Sequence, residues 1–408
     1  MMCADSDADG GSDVPWRSPT LHVILASSLM GVMGVSLISP ILPELRGVFG
    51  VTDARIGLVI TAYTLPGVFL TPFVGLVADR IGRRRTIVPL LFVFGAGGAG
   101  IAFVEAFSAV LALRFLQGIG ASALVTLAVT LIGDVYDGPR RDAVMGINSS
   151  VIGTGSAAYP LIGGALAGIR WSVPFLFFGI GIAVAVAAAV SLPEPETGAP
   201  SDVRTYLRGL GAVAVRPRPL AIFGAIFVVF FVFYGAVQTA LPLLLSDEFD
   251  LSSAEIGPLL AAVAVASAVV SSQYGRVSEW RNATELVALG FVAYGCSLLA
   301  VRIAPSPAFV GASLLLFGVG FGLVIPSVDT AIVTAVSGDL RAGMMGMRTA
   351  VLRLGQTLGP VAFTFVAETA FGTPSAGYRA LLVVCGASVL GIGAVAYVLA
   401  RRGASGGF

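Results

Sequence analysis

Asp329 stands in "GFGLVIPSVDTAIV", shortly after Pro326, in a run that contains no other ionisable group. The neighbouring run "MGMRTAVLRLGQTLGP" holds Arg348, Arg353 and Gln356, and an earlier apolar run carries Arg114 in "RFLQGIGAS". Burial favours a protonated carboxylate, whereas a guanidinium nearby favours the ionised one. Asp329 among arginines is therefore a candidate proton carrier, because an approaching substrate can tip that balance, and proton and substrate then compete for one site. The alternative is a structural ion pair between Asp329 and one of the arginines. Arg114 needs a polar partner or water, since a guanidinium in hydrocarbon costs at least ~2.5 kcal/mol without one, and reads as a hydrogen-bonding hub.

Catalytic chemistry fits the sequence poorly. Asp329 has no evident second carboxylate for an acid dyad, and His22 is the only histidine. No HExxH is present, and the absence of lysine rules out a Walker A loop. Cys3, Cys296 and Cys385 are scattered, without the spacing of a zinc site or a disulfide framework. The expectation is a protein that is not an enzyme, holds no metal or cofactor, binds no nucleic acid and acts as a monomer.

The elements that position these residues follow from composition. The chain has 408 residues, 56% of them hydrophobic and 12% charged, with a mean hydropathy of +0.94. Soluble domains carry about a quarter charged residues. Apolar stretches recur at the ~20 residues that a helix needs to cross a bilayer. Twelve spans are expected: 21–43, 56–78, 86–104, 108–133, 144–168, 172–192, 219–245, 255–275, 284–302, 307–336, 343–367 and 379–400. The tail 1–20 is acidic, with Asp5, Asp7, Asp9 and Asp13 against Arg17. A cleaved secretory signal has the opposite charge, so the first span is expected to stay in the protein.

Counting alternate sides, Arg17, Arg80, Arg83, Arg84, Arg85, Arg140, Arg141, Arg204, Arg208, Arg216, Arg218, Arg276, Arg281, Arg341, Arg401 and Arg402 fall together. Arg46, Arg55, Arg170, Arg302 and Arg379 fall opposite. This bias predicts a multi-pass plasma-membrane protein with both termini in the cytoplasm. The segment 193–218, "PEPETGAPSDVRTYLRGLGAVAVRPRP" without its last residue, reads as a cytoplasmic linker with a short surface helix around Tyr206. It separates bundles at 21–192 and 219–400, with a cytoplasmic tail at 401–408. At a constant offset of 200, Ile56-Gly57 matches Ile256-Gly257, Gly75 matches Gly275, Met145-Gly146 matches Met345-Gly346, Gly155 matches Gly355, and Pro160 matches Pro360. The fold class expected is an all-α membrane protein of twelve transmembrane helices in two repeat-related bundles of six.

The third, sixth and twelfth spans are nearly free of strong hydrogen-bonding groups and are expected to face lipid. Polar residues in hydrocarbon are tolerated mainly where they face a bundle interior or a wet cavity. That places Gln117, Asn148, Tyr159, Tyr234, Gln238, Arg348, Arg353 and Gln356 around a central substrate cavity. The embedded charge, Arg114, Arg348 and Arg353 against Asp329, is net positive. It leans toward anionic, zwitterionic or neutral amphipathic substrates.

Between the second and third spans lies "GLVADRIGRRRTI", with Gly75, Asp79, Arg80, Gly82, Arg83 and Arg84. This loop resembles, position for position, the corresponding loop of the major facilitator superfamily. The second-half counterpart, "GRVSEWRNATEL", keeps Gly275 but has Trp280 where the first half has Arg80. "RFLQGIGAS" resembles the family's fourth-helix motif through Arg114, Gln117, Gly118 and Gly120; that resemblance implies a part in proton coupling for Arg114, which makes it a proton-coupling candidate beside Asp329, with the structural hub as the alternative. "GSAAYPLIGG" resembles the fifth-helix signature of its drug:proton antiporters, although Tyr159 stands where that branch has glycine before Pro160. The repeat-related "GQTLGPVA" keeps Gly359-Pro360. Gly118, Gly120, Gly155, Pro160, Gly355, Gly359 and Pro360 are read as packing and bending positions, and Gly75 as a site of close helix approach.

The resemblance implies a cytoplasmic gate in which Asp79 lies against the start of the eleventh helix and Arg83 pairs with Asp134. It further implies a secondary transporter working by alternating access, driven by the proton gradient and exporting small amphipathic, drug-like molecules. The alternative is a symporter or uniporter that takes up a small nutrient such as an organic anion.

Overall fold

The computed structural model describes residues 14–194, 217–335 and 338–405. Residues 1–13 of the acidic tail, 195–216 of the linker with its expected surface helix, and 406–408 lie outside the described residues. Every regular element among the described residues is helical.

The long helices are α1 (Pro19–Phe49), α2 (Asp53–Ile81), α3 (Arg83–Gly100), α4 (Phe107–Val135), α5 (Gly138–Ala167) and α6 (Val173–Ser191). After the linker follow α7 (Pro219–Phe249), α8 (Ser253–Ser272), α9 (Ala283–Arg302), α10 (Pro307–Ala335), α11 (Gly338–Ala370) and α12 (Pro374–Ser405). Among the described residues, 11 helices are long and apolar enough to cross a membrane. The twelfth is α5, whose 30 residues span about 45 Å but whose early turns carry Arg140, Arg141 and Asp142. Several helices outrun their expected spans, because polar turns at their ends remain helical beyond the apolar stretch. Of the three spans expected to face lipid, α6 and α12 are among the least buried, whereas α3 is as buried as α10.

Proline shapes α1 and α7. In α1, Pro40 and Pro43 follow a helix that ends at Ser36, and the chain passes through a 3₁₀ turn, Ser39–Ile41, before turning helical again at Leu42. In α7, Pro242 has no N–H to offer the carbonyl of Gln238, four residues earlier. The chain there widens into a π-helical segment, Phe233–Ala240, in which the Leu241 N–H reaches back to Ala236. The freed Gln238 carbonyl accepts the hydroxyl of Ser39 at 2.6 Å. The broken segment of α1 thus supplies the donor that the broken segment of α7 lacks, as hydrocarbon surroundings require.

Two seams join α1–α6 to α7–α12, and repeat-related residues build both. A Cβ on Gly257 of α8 would strike the Pro160 carbonyl of α5, and one on Gly57 of α2 would strike Thr364 of α11, whose hydroxyl donates to the Pro360 carbonyl at 2.9 Å. Within the first set, Gly118 lets α4 lie against the Tyr63 carbonyl of α2, and Gly120 lets it lie against the Phe94 backbone of α3. Gly355 and Gly359 do the same for α11 against Phe227 and Phe231 of α7, and Gly155 admits Leu29. At Gly75, expected as a site of close helix approach, nothing among the described residues beyond its own neighbours and helix backbone lies within 4 Å of where its Cβ would be.

One corner remains unfilled. Between α7, α9, α10 and α12 lies a cavity of about 540 Å³, lined by Ala225, Val228, Val287, Phe291, Val328 and Ile392 among others. The corresponding corner of the first set is closed, with the Thr20 hydroxyl donating to the Ser191 carbonyl at 2.9 Å.

Gly118→Val puts a branched side chain against a backbone carbonyl that cannot retreat. It should lower folded stability by about 1–3 kcal/mol, read as a drop in the thermal unfolding midpoint of the purified protein. Gly75→Ala should leave that midpoint within experimental scatter.

Candidate functional site

The charged loop sits where α2 turns into α3. Gly82 has φ +105°, a conformation that L side chains rarely adopt, and this turns the chain so that α3 begins at Arg83. Arg83 is the hub of the loop: it pairs with Asp79 one turn earlier, and its Nε meets Asp134 Oδ2, at the end of α4, at 3.0 Å. The Arg83–Asp134 contact is the one the loop's resemblance implies. Asp79 pairs with Arg83 and is 53% exposed; its expected contact with the start of the eleventh helix falls on residues and side chains outside those described.

Arg80 is exposed, and the Arg84 N–H donates to Glu194 Oε1 at 3.3 Å. Glu194, just past α6, places its carboxylate at the N-terminus of α3, where unpaired N–H groups and the helix dipole favour an anion. Sequence reasoning missed it, although the acidic "PEPE" after an apolar run was visible. In the second-half loop Trp280 is exposed, Arg276 bonds Gln273, and Arg281 bonds Glu285 and the Tyr397 hydroxyl of α12.

Arg114 is fully buried, and it is satisfied by neutral acceptors. Its Nε donates to the Val59 carbonyl of α2 at 3.1 Å, and its two terminal nitrogens donate to Gln117 Oε1 and to the Gly34 carbonyl of α1, each at 2.8 Å. The Tyr63 ring lies 4.5 Å from the guanidinium, in a cation–π contact, and fits because Gly34 has no side chain. Arg114 therefore ties α1, α2 and α4 together. Gly34 and Tyr63, its partners, were not singled out from sequence.

Arg348 Nε and Asp329 Oδ1 form an ion pair at 2.5 Å between α11 and α10, with Asp329 36% exposed. Asp329 lies only about two turns from the end of α10, nearer the arginine-rich mouth than its apolar surroundings in the sequence suggest. Deeper in, Arg353 NH1 donates to Gln356 Oε1 at 3.2 Å, and its side chain lies along Gly67 of α2. Tyr234 of the π-helical segment and Tyr63 are within electrostatic reach of Arg353. Gln117, Asn148, Tyr159, Gln238 and Gln356 are buried, whereas Tyr234, Arg348 and Arg353 keep partial exposure. The structure thus splits the expected cavity residues into an exposed group and a buried one.

The opposite end is closed by a cluster that the sequence did not disclose. Arg46 NH1 bonds Asp53 Oδ1 at 2.7 Å, and the same guanidinium pairs with Asp247 of α7. The Tyr378 hydroxyl of α12 donates to Asp53 at 2.8 Å, and the Ser253 hydroxyl of α8 donates to Glu44 at 3.2 Å. Glu368 of α11 accepts the Ala54 N–H at 2.7 Å, capping α2. Along the α2–α11 seam the links continue to the Thr61 hydroxyl on the Thr357 carbonyl at 3.2 Å and then to Gly67 against Arg353. From there to the arginine-rich end, no hydrogen bond or ion pair joins the two sets among the described residues. Among the described residues, the polar links between the two sets therefore end beside Arg353.

Comparison with known proteins agrees with the fold. The profile of the Major Facilitator Superfamily matches residues 24–337 and, separately, 234–407. The bacillibactin exporter of Bacillus subtilis (strain 168) is 27% identical over 369 residues, covering 86% of this chain and 90% of its own. The class E tetracycline resistance protein of Escherichia coli is 27% identical over 365 residues, 85% of this chain and 87% of its own. Among solved structures, a bacterial homologue of the human lysosomal transporter Spinster, inward-facing and unoccupied, superposes with a TM-score of 0.81 at 20% identity. That match covers 96% of this chain and 98% of the other.

Arg46→Ala should weaken the closed end. In a background without the native cysteines, Ser39→Cys, buried behind the cluster, should become labelled faster by a membrane-impermeant maleimide added at the face opposite the arginine-rich loops. Each ~1.4 kcal/mol taken from the closed state raises the open population about tenfold. An unchanged labelling rate would show that the cluster does not hold the end shut.

Proposed function

The chain belongs to the major facilitator superfamily, and on that premise we propose that it exports small amphipathic molecules across the plasma membrane in exchange for protons. The coarser part is plain: this is a multi-pass transporter, embedded in lipid, with a small-molecule substrate. The observation that carries the proposal is the asymmetric linkage, with contacts between the halves from Arg46–Asp247 to Gly67 and no polar link beyond among the described residues, which we read as a cleft that opens at the arginine-rich end with its apex beside Arg353. Taking the arginine-rich end as cytoplasmic, with both termini there, this is an inward-open state ready to load from inside. The halves 21–192 and 219–400, linked by 193–218, then rock about the α2–α11 and α5–α8 seams. A single chain holds both halves, so a monomer suffices, and the protein moves its substrate without chemical change.

Export in particular is supported by the relatives, one named for exporting bacillibactin and one for tetracycline resistance. Asp329 is the coupling carboxylate in this reading. A proton on it dissolves the pair with Arg348 and frees that guanidinium, which biases the wall of α10 and α11 between two arrangements. Arg114 stays charged throughout and positions α1, α2 and α4. The alternative, uptake of a small nutrient such as an organic anion by symport or uniport, draws its support from the positive charge at the apex.

Asp329→Asn should abolish pH-gradient-driven transport in proteoliposomes while leaving the unfolding midpoint near that of the parent protein; unchanged transport would remove Asp329 from coupling. The direction of coupling is read from bulk pH: proton release as substrate is added supports antiport, and proton uptake supports symport.

A further inference from the structure

The ion pairs of this protein leave a remainder at the cleft apex. Asp329 is matched by Arg348, Asp134 by Arg83, and Asp53 and Asp247 by Arg46. Arg353 has no carboxylate within salt-bridge distance among the described residues: its one hydrogen bond goes to the neutral Gln356, and its Nε is buried without a partner. Arg114, whose acceptors are all neutral, adds a second uncompensated positive charge behind the Tyr63 ring. Charge in this setting is costly without a counter-charge, and the guanidinium cannot shed its proton to escape that cost. Arg114 is sealed, whereas Arg353 keeps partial exposure at the point where the cleft ends.

The surroundings of Arg353 define the rest of the ligand. Phe227 and Phe231 of α7 are stacked at 5.6 Å and partly exposed, and their backbone packs against Gly355, two residues from Arg353. Tyr234 follows one turn on. A partly exposed cation close in sequence to the helix face that meets this aromatic stretch is complementary to a flat apolar body that bears one oxyanion.

We propose that the apex of the cleft is an anion subsite, in which Arg353 holds the carboxylate of an aromatic, amphipathic monoanion as the transported substrate. This inference rests on the transporter reading and sharpens its substrate class. Bound there, the carboxylate supplies the counter-charge that the protein's own acids do not. A cationic amphipath of the same shape adds a third positive charge and is rejected. Gln356 orients the guanidinium, and Gly67 leaves room for it against α2.

The test uses the full purified chain in proteoliposomes and three probes on one scaffold: 2-naphthoate, its neutral amide 2-naphthamide, and the cation 2-naphthylmethylamine. Uptake and ligand-induced thermal stabilisation are measured for each. A hydrogen-bonded charge pair of this kind should favour the carboxylate over the amide at least about tenfold, with the amine weakest. Arg353→Gln should erase that ranking without lowering the unliganded unfolding midpoint, and Arg353→Lys should restore part of it. Transport that ignores probe charge, or a ranking that survives Arg353→Gln, overturns the subsite while leaving the transporter reading intact. Arg353-dependent stabilisation by 2-naphthoate without movement of any probe keeps the subsite and overturns the transporter reading. Stabilisation by none of the three overturns the subsite.

Discussion

A backbone carbonyl in hydrocarbon must find a donor, and the prolines of α1 and α7 ensure that some carbonyls cannot find one inside their own helix. Much of the architecture answers that constraint. Pro242 releases the Gln238 carbonyl, the chain relaxes into a π-helical segment, and the Ser39 hydroxyl from the other half closes the gap. Arg114 applies the same logic with a side chain, spending its donors on carbonyls of α1 and α2. Where helices are only packed, as at Gly57 and Gly257, contact is close but carries no such debt, and these seams are where the halves can rock.

This division of labour explains what could be read in advance. The twelve helices and the internal repeat are periodic, local properties, and the Gly57/Gly257 and Pro160/Pro360 matches at offset 200 turn out to be the contact points of two equivalent seams. The Arg83–Asp134 pair was also within reach, because the loop's resemblance named both partners. The closed-end cluster was not. Arg46 and Asp247 are unremarkable acids and bases at helix ends, 201 positions apart, and only the tertiary fold makes them neighbours. Glu194 was hidden for the same reason, as was Tyr63, an aromatic residue whose role depends on Gly34 being absent-sided across the helix pair.

Depth was the other quantity that sequence could not supply. Asp329 is a partial exception, because the span expected at 307–336 does end at Ala335 and so already put the residue within about two turns of the helix end. Arg353 looked like one arginine among several and instead marks the apex, because the zipped part of the α2–α11 seam ends beside it. Hydropathy reports the company a residue keeps along the chain, not its distance from water in a cleft.

Arg46 grips Asp53 within its own half and Asp247 in the other, while Asp53 also holds Tyr378 across the gap. When that end opens, the cross-links to Asp247 and Tyr378 break, but Arg46 and Asp53 leave together, still paired. In the proposed cycle Asp247 is the charge that loses its partner, and its partial exposure lets water take up that charge as the end opens. The gate then behaves as a clasp with one half of its catch fastened, and screening of the Arg46–Asp247 contact ties its release to ionic strength at the membrane surface.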